Sequence, residues 1–70
     1  MSKPQRHYMI ITESASRSEG VVDRLEKAIM ELEVIYTITL VGGICVVQDV
    51  IGDGAWHAFQ AVYVTRKASD

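Results

Sequence analysis

Seventy residues make one domain with no room for a second core, and an apolar content of 49% excludes a disordered tail. A single cysteine excludes a disulfide framework, and two histidines with one cysteine at scattered positions match no zinc-ligand spacing. A net charge of −2 disfavours nucleic acid as a partner, no apolar run reaches the ~18 residues a bilayer span needs, and no signal-peptide pattern opens the chain, so a cytoplasmic protein without membrane partners is expected.

Taken in order, residues 1–5 hold the only proline and are expected to be loose. Residues 6–12 place bulky, strand-favouring side chains on both parities, which predicts a strand covered on both faces or nearly so. A short polar connection, 13–16, leads to the clearest local signal. Ser16-Arg17-Ser18-Glu19 has the spacing of a capping box, with Ser14 as a rival cap. Val21, Val22, Leu25, Ala28, Ile29 and Leu32 then recur every three to four residues, one apolar stripe on a helix expected to end near 33–35.

The segment 35–51 is too long for an ordinary strand and contains Gly42-Gly43. Glycine inside a strand marks a bulge or a close backbone approach, so either a loop precedes Leu40 or one long strand bends there. Gly52-Asp53-Gly54 predicts a hairpin turn, residues 55–66 a last strand, and 67–70 a frayed tail. The result is an α+β domain of order β-α-β-β: one helix on a three-stranded, mainly antiparallel sheet.

One helix covers only one face of such a sheet. The last strand carries Trp56, Ala58, Gln60, Val62 and Val64 on one parity, and His57, Phe59, Ala61 and Tyr63 on the other. Both faces are therefore largely apolar, and the uncovered one forms a patch too large for a soluble monomer. A domain this small also buries only about 60% of its unfolded surface. With disulfide and metal set aside, burial of the second face by oligomerisation is expected, as a back-to-back dimer or a closed ring.

No residue pattern specifies catalysis. Cys45, between Ile44 and Val46, reads as a buried inert thiol. Asp49 and Asp53 read as turn residues, and Gly42-Gly43 leads into strand rather than the helix a phosphate loop requires. His7 is expected to be exposed. His57 is either a surface or interface histidine or, beside Trp56, a ligand contact in which the indole stacks on a flat ring. Gln60 either pairs across a subunit interface or reads a ligand, and Tyr63 stands near the same inter-subunit pocket.

Tyr8-Met9-Ile10-Ile11-Thr12, the acidic helix with Val22 and Leu25, Leu40-Val41-Gly42-Gly43-Ile44 and Phe59-Gln60-Ala61-Val62 together resemble the bacterial and phage family called domain of unknown function 1737. The segment between helix and Gly42-Gly43 is several residues longer here, and Ile35-Tyr36 stands where that family has Gly-Trp. The resemblance implies the same element order and a phage or mobile-element accessory role, with no chemistry to transfer. The order and length also look like those of dodecins, flavin-storing proteins that form hollow dodecamers. That likeness is architectural, since Trp56 opens the last strand instead of lying in the one before it.

The reading is thus a non-enzymatic, homo-oligomeric binding protein with no cofactor. It would bind or sequester a small aromatic or nucleotide-like molecule near Trp56, His57, Gln60 and Tyr63. The alternative is a protein-interaction or inhibitor module acting through its sheet edge or helix face.

Overall fold

A computed structural model describes residues 5–67, so of the loose ends expected at 1–5 and 67–70, residues 1–4 and 68–70 lie outside the described residues, while the Lys67 N–H is held by a hydrogen bond. Four elements follow in order: β1 (Arg6–Ala15), α1 (Ser18–Leu32), β2 (Tyr36–Gln48) and β3 (Trp56–Arg66). The β-branched residues of the last two runs pair as a long hairpin, and β1 adds to its far side. The sheet order is β1-β3-β2, with both pairings antiparallel. β3, last in the chain, is therefore central, and the parallel strands β1 and β2 flank it as edges. This is the expected α+β domain.

The helix places Val21 and Leu25 against the sheet, where both are fully buried. They meet Ile11 of β1 and Ala58, Val62 and Val64 of β3, with Trp56, Ile38 and Val46 half-buried around them. The apolar stripe of the sequence is the buried face. Burying a leucine or valine side chain is worth about 1.5–3 kcal/mol, and with six buried apolar residues among the described ones this core is small.

The helix start differs from expectation. Arg17, extended at φ −130° and ψ 148°, is the N-cap, and no side chain caps the first turn. The Ser16–Glu19 box does not form, because β1 continues to Ala15 and leaves the chain to turn over two residues only. Ser14 is also no cap. It belongs to β1, and its carbonyl accepts a hydrogen bond from the Arg24 guanidinium at 3.2 Å. The helix ends at Leu32 with Glu33 as C-cap, as the stripe predicts.

Most of segment 35–51 is one long strand, Tyr36–Gln48, with a β-bulge at the glycines and no loop before Leu40. Val41 pairs with Ala61 and Cys45 with Phe59, so three residues of β2 oppose Gln60 alone. Gly42 takes φ +73°, a conformation that glycine adopts without penalty. After Gln48 the chain turns through a loop tied by several hydrogen bonds. Asp49 N–H donates to the Ala55 carbonyl and Gly54 N–H to the Asp49 carbonyl, each at 2.9 Å. Gly52 N–H donates to Asp49 Oδ1 and Ala55 N–H to Asp53 Oδ1, also at 2.9 Å. Both aspartates thus act as turn residues, as read from the sequence. At the other end Lys67 N–H donates to the Ile35 carbonyl at 2.9 Å, closing the sheet.

The hairpin makes the molecule long: it extends 51 × 17 × 17 Å, with a radius of gyration of 14.3 Å. A compact 70-residue chain would give about 11 Å.

Candidate interaction surface

Cross-strand partners share a face of a sheet. The register therefore sorts every strand residue. Ile11, Ala58, Gln60, Val62 and Val64, which are buried, define the helix side. The opposite, open side carries Tyr8 and Ile10 of β1, Phe59 and Tyr63 of β3, and Val41 and Val47 of β2. None of the described elements covers it. Tyr8 is 55% exposed, and Ile10, Val41 and Val47 are exposed with it. Among the described strand residues, Arg6 is the one formally charged side chain on this side.

Two expectations about single positions are corrected here. Residues 6–12 are not covered on both faces within one chain: β1 is an edge, and of its residues only Ile11 is buried. Cys45 is not buried either. It is a free, exposed thiol, because it lies on the open side of the other edge. His7 is exposed, as expected.

One end of the open side is organised by aromatic contacts. Tyr8 and Tyr63 are direct cross-strand partners, their rings 5.4 Å apart at 64°, an edge-to-face arrangement. The Arg6 guanidinium carbon lies 4.2 Å above the centre of the Tyr63 ring, within cation–π range. Tyr8 and Arg6 were missed in the sequence because nothing there sets the register that brings them to Tyr63.

The four proposed site residues do not converge in one chain. Trp56 and Gln60 belong to the helix side, His57 and Tyr63 to the open side. Trp56 packs against the core. His57 is half-buried between Ser14 and Val47, about 20 Å along the strand from Tyr63 at ~3.3 Å per residue. Gln60 is only 1% exposed, and its amide nitrogen donates within the chain. Nε2 donates to the carbonyls of Ala61 at 2.8 Å, Gly42 at 3.2 Å and Val41 at 3.4 Å. It therefore ties the β2 bulge to β3.

A second apolar surface lies on the helix side. α1 sits over β1 and β3, and β2 overhangs it. The gap is a groove of about 240 Å³ floored by Gln60 and walled by Ile29, Met30, Leu40 and Ile44, with Glu26 and Glu33 at its rim. A polar cleft of about 500 Å³ lies at the other end of the molecule, between Ser14, Ser16, Arg24 and Asp53. Among the described residues, no helix is long and apolar enough to cross a membrane, and no three His, Cys, Asp or Glu side chains cluster as metal ligands would. No protein-family model, curated protein or solved structure matches the chain.

Proposed function

We propose that this chain is a non-enzymatic, homo-oligomeric interaction module in which a second copy covers the open side of the sheet. The observation that carries this reading is the uncovered apolar surface from Tyr8 and Ile10 to Val41 and Val47, which has Arg6 alone as a charge. Exposed contiguous apolar patches of this kind are interaction sites in soluble proteins. Back-to-back stacking of two such sheets, about 10 Å apart, converts each open side into half of a sandwich core.

A small-molecule ligand is the second reading. The Tyr8–Tyr63 pair under Arg6 favours it, since a flat ring can stack beside such a pair where two sheets meet. In this reading Tyr63 and His57 face the inter-subunit space, while Trp56 and Gln60 support the sheet from the helix side.

Native mass spectrometry of the purified protein tests both readings. A multimer that Ile10→Lys dissociates supports the stacked face. A wild-type monomer at tens of micromolar, well above the Kd expected of an obligate interface, overturns it. A reproducible extra non-protein mass, lost in Tyr63→Ala, supports the ligand; a multimer with nothing bound counts against it.

A further inference from the structure

The exposed apolar surface on the helix side is distributed unevenly. Met30 (66%) and Leu40 (56%), together with Ile44, lie on the side of β2, where they wall the groove. On the β1 side the large exposed apolar residue is Met9. The two sheet edges differ in the same sense. β1 carries Arg6 and Glu13, charges that keep an edge strand from pairing. β2 has no charge and no proline across its 13 residues. Its one protective feature is the bulge at 42–44, which leaves 36–41 as an unblocked pairing edge.

We propose that two copies of this chain pair antiparallel along residues 37–41 of β2, with Thr39 on the twofold axis, joining their sheets into one of six strands and closing their α1–β2 grooves against each other. The geometry follows from symmetry. When a strand pairs antiparallel with its own copy, the twofold axis stands perpendicular to the sheet. Both helices then lie on the same side, and the grooves abut across the axis. Leu40 of each copy then faces Ile38 of the other on the helix side, and the backbone groups of the edge gain partners.

The chain as a whole carries surface to spare. It exposes 5422 Å², whereas a compact monomer of its 7.8 kDa mass would expose about 4400 Å². The excess, about 1000 Å², belongs to the elongated molecule as a whole, and the open side and the β2 edge share it. Edge pairing goes beyond the stacked face and does not depend on it. If both operate, the open sides of two six-stranded sheets stack, and the assembly is a tetramer with three twofold axes.

Two variants separate the interfaces, measured by native mass spectrometry with circular dichroism to confirm folding. Leu40→Lys places a charge in the groove at an exposed site, and Ile10→Lys places one on the open side. Edge pairing predicts that Leu40→Lys halves the mass of the assembly. It also predicts that Thr39→Cys in a Cys45→Ser background forms an intermolecular disulfide under mild oxidation, since facing Cα atoms of paired strands lie within ~5.5 Å. An assembly unchanged by Leu40→Lys, with no cross-link from cysteine at 37, 39 or 41, overturns the inference. If that assembly still dissociates with Ile10→Lys, the stacked-face reading survives. The reverse pattern upholds edge pairing and discards the stacked face, and a wild-type monomer overturns both.

Discussion

Gln60 shows how a polar residue at the centre of a core strand acquires its role from its neighbours. Three residues of β2 oppose it, so backbone carbonyls at the bulge turn towards it, and its amide donates to them. Gln60→Met keeps the volume and removes the donor. Urea denaturation should show a loss of about 0.5–1.5 kcal/mol, the net worth of a hydrogen bond. A stability unchanged within 0.3 kcal/mol, roughly the error of the extrapolation, would mean that the bulge holds itself. The two glycines beside it should respond differently. Gly42 has φ +73°, so Gly42→Ala costs about 1–2 kcal/mol, while Gly43 has open space around it and no positive φ, so Gly43→Ala stays within about 0.5 kcal/mol. Gly42-Gly43 announced a bend in the sequence. That Gln60 serves it could not be read there, because the partnership spans 18 residues and depends on register.

At the scale of elements, the helix is the best-determined part and its start the least. The stripe from Val21 to Leu32 is periodic, and periodicity is local. The cap depends on where β1 stops, and that is decided by pairing with β3 as far as Ala15–Trp56. Because Arg17 is the N-cap and contributes no side-chain bond, Arg17→Asp should raise stability by about 0.5–2 kcal/mol, while Ser16→Ala stays within about 0.5 kcal/mol. Thermal melts of the two variants check this, and a larger loss from Ser16→Ala would restore the capping box. In the hairpin loop, Gly54 at φ +77° donates its N–H to the Asp49 carbonyl. Gly54→Ala should cost about 1–2 kcal/mol, seen as a lower urea midpoint.

On the scale of the molecule, six buried apolar side chains under an open sheet make a thin core for a chain extended over 51 Å. If assembly covers the open side and the β2 edge, folding and association are linked, and stability depends on protomer concentration. The melting temperature should then rise by several degrees over a hundredfold increase in concentration, since about 1 kcal/mol shifts a 60–100-residue domain by roughly 4–8 °C. Differential scanning fluorimetry across that range measures it, and a flat profile would show the monomer to be self-sufficient. The oxidation rate of Cys45 should fall over the same range, because the exposed thiol lies on the side that stacking covers.

Local chemistry was sufficient for the element order, the helical stripe, the Gly-Asp-Gly turn with its two aspartates and the bend at Gly42-Gly43, since each depends on residues within a few positions of one another. The apolar character of both sheet faces was legible for the same reason, as it needs only the period-two pattern of the strands. Tertiary structure decided what depends on register. Pairing placed β3 at the centre, set Tyr8 and Arg6 against Tyr63, separated Trp56 and Gln60 from His57 and Tyr63, and exposed Cys45. A shift of one residue would exchange the two sides of a strand, and no single segment carries the information that prevents it.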